Sequence, residues 1–252
     1  MIRLSNITLS FGNRTLIADA SAHFREGEMV ALLGRNGTGK STMLRAVVGL
    51  GGVQGGDIYI AGDNLQSLSV AERAERIAFV NTERVDVDGL TVRELVSIGR
   101  SPYTNWMGQL TGKDRAIVER SIDLVGISAF ADRRVDTLSD GECQRAMIAR
   151  AVAQDTPIII LDEPTSFLDL PNRYELCLLL QRLAHEEGKC VLFSTHELDI
   201  ALSLADSIAL VDTPRLVHCP TSEMVSSGNI ERLFDSEHIS FDAEMRSIRL
   251  HR

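Results

Sequence analysis

An α/β fold with a mainly parallel sheet is what this sequence predicts, and three observations carry that reading. Short, wholly apolar runs, Met29–Leu33 and Ile158–Leu161, are the mark of strands buried on both faces. Between such runs lie stretches of helical periodicity, so the order strand, helix, strand, helix recurs. From 85 to 154 strand signals vanish and helical spacing takes over, which predicts a helical subdomain inserted into the α/β core. At 252 residues, 44% hydrophobic and 24% charged, the chain can bury a sizeable core; a disordered or collagen-like polymer is excluded.

In chain order, the first sixty residues read as β-rich. Residues 2–9 alternate loosely and are punctuated by Asn6, Gly12 and Asn13. Met29–Leu33 is a buried strand, followed by a glycine-rich turn and a helix carrying Met43, Leu44, Val47 and Val48 on one face. Residues 57–60 read as an edge strand, residues 70–76 as a short polar helix and Ile77–Val80 as another buried strand. In the helical stretch, Thr91 with Glu94 three residues on has the form of a capping box. Pro171 opens a later helix in which Leu176, Leu179, Leu180 and Leu183 recur at helical spacing, and Gly188 ends it. Strands are expected at 190–193 and 207–211, and residues 230–252 as a short extension. The expected organisation is one domain over residues 1–252: a core from about 1–84 and 155–252, with about 85–154 inserted.

Charge and segment type exclude several functions. With 26 Lys+Arg against 35 Asp+Glu the net charge is −9, so free nucleic acid is not expected as a partner. No run approaches the apolar length of a membrane span, and the N-terminal residues lack a secretion signal's basic head and apolar run. Cys143, Cys177, Cys190 and Cys219 form no C-x-x-C pair and read as buried or half-buried thiols of a reducing compartment.

The chemistry begins at residues 34–41, G-R-N-G-T-G-K-S, which fit G-x-x-x-x-G-K-[ST]. Gly34, Gly37 and Gly39 allow a tight turn, and Arg35, Asn36 and Thr38 between them turn N–H groups inward. The following helix begins at Lys40, Ser41 and Thr42 and presents its N-terminus to an anion. Lys40 supplies a charge for β- and γ-phosphates, and Ser41 a hydroxyl for Mg²⁺. ATP and Mg²⁺ are the expected ligands. A second acidic site, Asp162-Glu163-Pro164, follows the apolar strand 158–161. Only the C-terminal end of such a strand is free to hold polar chemistry. Asp162 is expected to hold Mg²⁺ and Glu163 to polarise the attacking water.

These motifs, in this order, resemble the ATP-binding subunit of ABC transporters, which are P-loop NTPases with a RecA-like core and an N-terminal antiparallel β subdomain. The resemblance covers roughly residues 1–220. Leu138-Ser139-Asp140-Gly141-Glu142 is similar to the family's LSGGQ signature, and Ser166-Phe167-Leu168-Asp169 to its D-loop. Ser194-Thr195-His196 is similar to its switch histidine, and Phe11 stands where an aromatic ring stacks on adenine. The resemblance implies a head-to-tail dimer in which Ser139, Gly141 and Glu142 of one copy face the ATP held by the other, with Asp169 between. It gives His196 a γ-phosphate contact. It also implies docking on an integral membrane permease at the cytoplasmic face of the inner membrane, served by a periplasmic or lipoprotein binding protein. Ser139 and Glu142 equally make a capping box for the helix that follows.

The chain departs from the family where a glutamine normally touches Mg²⁺ and water: Thr82 holds that position, with Asn81 beside it. Threonine keeps an oxygen on a shorter arm. Residues 90–106, LTVRELVSIGRSPYTNW, resemble the subfamily that energises import of iron–siderophore, haem and cobalamin complexes. Within it, Tyr103 and Trp106, the single tryptophan, are the expected permease contacts. Alternatives are another transport class, an exporter or lipoprotein-release ATPase, and a weakly hydrolysing ABC regulator outside transport.

Overall fold

The computed structural model describes residues 1–82, 89–166, 168–235 and 239–250. Phe167 of the D-loop and the expected 84/85 boundary lie outside the described residues.

The N-terminal strands β1 (Ile2–Phe11) and β2 (Arg14–Phe24) form an antiparallel pair. β3 (Met29–Leu33) follows and leads through the glycine-rich turn into α1 (Lys40–Val47). β4 (Gly55–Ile60) pairs antiparallel with β1, and the two-residue β5 (Asp63–Asn64) completes a four-stranded sheet in the order β2-β1-β4-β5. The segment expected at an edge is thus flanked on both sides, although β5 covers little of it.

α2 (Val70–Ala74) starts on a Ser69/Glu72 capping box, and β6 (Ile77–Val80) follows. Three helices then come in sequence: α3 (Val92–Ser97), α4 (Gly112–Val125) and α5 (Asp140–Ala153). Each begins on a reciprocal capping box, Thr91/Glu94, Thr111/Asp114 and Ser139/Glu142, which satisfies N–H groups that a helix start leaves orphaned. β7 (Ile158–Leu161) and α6 (Leu170–His185) return the chain to the core, with Asp169 capping α6. β8 (Cys190–Thr195), α7 (Leu198–Leu204), β9 (Ser207–Asp212) and β10 (Arg215–Pro220) follow. The C-terminal stretch is more than an extension: α8 (Thr221–Ser226), α9 (Asn229–Phe234) and the hairpin of β11 (Ile239–Asp242) with β12 (Ser247–Leu250) give it regular structure.

The main sheet runs β10-β9-β3-β8-β7-β6, parallel throughout except for β10, which pairs antiparallel with β9. Its alternating side chains split the core in two. Met29, Ala31 and Leu33 of β3 point into one cluster with α3–α7; Val30 and Leu32 point into the other with α1 and the antiparallel sheet. The C-terminal ends of β3, β7 and β8 therefore emerge side by side, between two packed layers, and they position the chemistry.

Candidate nucleotide site

The phosphate loop is held open by its own backbone. Gly39, the residue before α1, has φ +100°, a conformation only glycine adopts without strain, and a Cβ there would sit 2.8 Å from Leu16 Cδ1. Across the turn, the Arg35 carbonyl accepts from the Thr38 N–H at 3.3 Å and from Thr38 Oγ1 at 2.9 Å. Thr213 Oγ1 ties the loop to the end of the sheet by donating to the Thr38 carbonyl at 3.1 Å.

Lys40 is buried, and its ammonium donates to the carbonyls of Gly34 at 2.9 Å and Arg35 at 3.4 Å. It also lies 3.5 Å from Glu163 Oε1. That places one positive and one negative group at the mouth of the loop, where a phosphate and its attacking water would meet them. Ser41 Oγ donates to Asp162 Oδ1 at 3.0 Å. A hydroxyl and a carboxylate at this spacing are hard oxygen donors of the kind Mg²⁺ takes, so these residues fit that ion. Asp162 is buried, and its N–H donates to the Val80 carbonyl at 2.8 Å, extending the β6–β7 ladder by one residue.

Glu163 breaks that ladder. Its φ is +45°, unusual for a residue with a Cβ, and backbone strain of this kind persists where surroundings over-determine it. Its N–H donates to Ser194 Oγ at 2.8 Å, and its carboxylate accepts from Ser166 Oγ at 3.1 Å. His196 Nδ1 stands 3.9 Å from Glu163 Oε1, with its ring half exposed. Phe11 is 74% exposed and so is no core residue. It lines an open cleft with Leu16, Asn36, Gly37, Lys40, Thr42 and Glu163. The cleft joins the outer sheet to the phosphate loop and offers an apolar plate at one end and a cation at the other.

The remaining candidates lie elsewhere. Ser139, Gly141, Glu142 and Asp169 line a second groove of about 640 Å³ with Leu168 and Asn172. Ser139 and Glu142 exchange side-chain and main-chain hydrogen bonds, and that pairing holds the Glu142 carboxyl below its ordinary value. Thr82 is exposed, two residues past β6. Trp106 is 93% exposed and Tyr103 is also exposed; neither lines the nucleotide cleft.

Sequence reasoning missed two arrangements. Ser194 touches both Asp162 and Glu163, a consequence of the parallel register that sets Leu161 opposite Phe193. Arg100 forms a buried ion pair with Asp114, Nε to Oδ1 at 3.0 Å, and donates to the Ala153 carbonyl at 2.9 Å. Its guanidinium stacks 4.1 Å from the Tyr103 ring centroid. The Gly-Arg dipeptide was legible as a family segment, but this hub, which joins the segment after α3 to α4 and α5, was not.

The comparisons with known proteins agree with the geometry. The family model described as ABC transporter matches residues 17–166, more than half of the chain. An uncharacterised ABC transporter ATP-binding protein of Methanocaldococcus jannaschii is 34% identical over 96% of this chain and 83% of its own. The petrobactin import ATP-binding protein of Bacillus anthracis is 35% identical over 85% and 79%. The achromobactin transport ATP-binding protein of Dickeya dadantii is 36% identical over 81% and 76%. Among solved structures, an ABC transporter described as of metal-chelate type, in an inward-facing conformation, superposes with a TM-score of 0.82 at 27% identity, covering 92% of this chain and 88% of that one. A dimeric bacterial ABC transporter cassette gives 0.76 at 28% identity, covering 88% and 99%. A phosphate loop, a buried carboxylate facing it and this match together mean that the chain belongs to the ABC transporter family, as one of its ATP-hydrolysing cassettes.

Proposed function

We propose that this cassette powers import of a metal chelate, such as an iron–siderophore, haem or cobalamin complex, through a membrane permease. The observation that carries the reading is the set of relatives at about 35% identity named for petrobactin, cobalamin and iron(3+)-hydroxamate import and for siderophore transport. The ligand itself would be selected by other subunits.

The cassette is read as one domain over residues 1–252, with about 85–154 inserted between two parts of the core. Two copies would close head to tail. The groove of Ser139, Gly141 and Glu142, with Asp169 at its edge, would face the ATP held by the other copy; solved dimers of a similar cassette, one with ADP and Pi, support this. Within each copy Phe11 would stack on adenine, and the loop 34–42 would wrap the phosphates. Lys40 would turn from the Gly34 carbonyl to the β- and γ-phosphates, which frees Glu163 to take a proton from the attacking water. His196, beside Glu163, would contact the γ-phosphate. Ser41 and Asp162 would hold Mg²⁺, with Thr82 as a further oxygen near it; the ion would neutralise charge on the phosphates.

Among the described residues no helix is long and apolar enough to cross a membrane, so attachment at the inner membrane's cytoplasmic face would come through the permease. Tyr103 and Trp106 would supply apolar contact there, and the binding protein would act from the far side. A groove of about 300 Å³ where the end of α5 meets the core, lined by Leu50, Val70, Phe79 and Gln154, would offer a second surface to the same partner. The test is uptake of radiolabelled ferric siderophore or cobalamin by cells carrying Lys40→Ala in this chain. Loss of uptake of one of these chelates supports the reading; normal uptake of all of them rejects it.

A further inference from the structure

We propose that Ser194 is a positioning residue for ATP hydrolysis, fixing the Asp162–Glu163 turn through its hydroxyl. This role rests on the ATPase chemistry proposed for the site, whatever the cargo.

Ser194 is fully buried on β8, which lies between the phosphate-loop strand β3 and the acidic strand β7. It pairs in register with Leu32 of β3, one residue before that strand ends. A serine hydroxyl has one proton and two lone pairs. Here the proton goes to Asp162 Oδ1 at 2.7 Å, and a lone pair receives the Glu163 N–H at 2.8 Å. One hydroxyl therefore bridges two successive residues of different duty.

The two bonds have distinct consequences. Ser41 donates to the same oxygen, Asp162 Oδ1, so both protein donors gather on one side of the carboxylate. That fixes its rotation and leaves Oδ2 without a protein donor among the described residues. The bond to the Glu163 N–H acts where the β7 ladder ends and the backbone enters the left-handed region at φ +45°. Without it, a partly buried N–H would lose its acceptor at a strained residue, and the turn would relax towards ordinary geometry. The carboxylate of Glu163 would then leave its place 3.5 Å from the Lys40 ammonium and 3.9 Å from His196. An apolar residue of similar size would serve equally well if Ser194 merely filled space.

The test uses the purified full chain with Ser194→Ala and Ser194→Thr. Binding of the non-hydrolysable analogue AMP-PNP is measured in EDTA and again with Mg²⁺, beside steady-state ATPase and thermal melts. For Ser194→Ala, kcat is expected to fall roughly tenfold with KM within about twofold, the size of a lost buried hydrogen bond. Its AMP-PNP affinity in EDTA should stay at the wild-type value and its Tm should fall by only about 2–4 °C, as for one lost buried hydrogen bond, while the gain in affinity on adding Mg²⁺ shrinks several-fold. Ser194→Thr, which keeps the hydroxyl, should restore most of kcat. The proposal is overturned if Ser194→Ala keeps wild-type kcat, or if its AMP-PNP affinity in EDTA falls together with kcat. Glu163→Gln is run in parallel. Normal turnover there would remove Glu163 from the chemistry, and the Mg²⁺-dependent gain would still judge Ser194.

Discussion

The nucleotide cleft and the corner of the helical stretch around Trp106 handle charge and apolar surface in opposite ways. In the cleft, polar groups face one another beside the strand ends: Lys40 and His196 each lie within 4 Å of Glu163, and Phe11 is the exposed apolar plate. At the corner the charge is hidden and the apolar surface is outside. Arg100 and Asp114 pair in the interior, while Trp106 and Met107 stand in solvent. A buried ion pair adds little net stability over apolar packing, yet removing one partner is costly. Such a pair suits a fixed pedestal, and an exposed tryptophan suits contact. One region therefore suits a small charged ligand, and the other suits holding a surface in place.

The contrast is broken most strongly at Lys40. Lys40→Ala is expected to weaken ATP binding by at least about a hundredfold, because the buried cation proposed to meet the phosphates is removed, and to leave the fold intact. Equilibrium titration with a fluorescent ATP analogue, beside a thermal melt, checks both halves.

On the pedestal side, Gly99→Ala should destabilise the chain by about 2 kcal/mol or more, because a Cβ there would lie 2.2 Å from the Arg150 carbonyl oxygen of α5 and the backbones must part. Urea unfolding measures the loss. ATP affinity of the folded fraction should be unchanged, the reverse of Lys40→Ala.

Acid sharpens the contrast further. The Asp114 carboxyl is held down to about 2, first by the Thr111 hydroxyl, then by the Thr111 N–H and by Arg100. Its unfolded counterpart titrates near 3.8, so the ionised form stabilises the fold above about pH 4. That contribution is lost as pH falls towards 2. Thermal melts over this range should show a drop in Tm that is smaller in Asp114→Asn, since other carboxyls held low, such as Glu142, still titrate.

The smallest effect is expected at Thr82. It is exposed beyond β6, and a bridging water can span what its short arm cannot reach. Thr82→Gln should therefore preserve or modestly raise steady-state ATPase activity. Its abolition would mean that the site is built around threonine.

How much of this was legible follows the same division. The cleft's residues belong to short motifs, each with its own local mechanism, so Gly34 to Ser41 and the pair Asp162 and Glu163 could be read without knowing the fold. Ser194 could not, because its partners are 31 and 32 residues away and meet it only through strand register. The Arg100–Asp114 pair bridges 14 residues and depends on how α4 packs, which periodicity does not reveal. Strands 29–33 and 158–161 announced themselves by unbroken apolar runs. The hairpin β11–β12 did not, since its residues are mostly exposed or half-buried and show little alternation.

The most direct test of the separation is to compare Glu163→Gln with Trp106→Ala, each as the free chain and with its permease in detergent or nanodiscs. The account predicts that Glu163→Gln loses roughly 10² or more in turnover in both settings. It should still bind ATP and permease, and run as an ATP-bound dimer on a sizing column. Trp106→Ala should keep the free chain's turnover and lose about 2 kcal/mol or more of permease affinity, the level of an interface hot spot. Wild-type turnover in Glu163→Gln, or loss of basal turnover in Trp106→Ala, would contradict it.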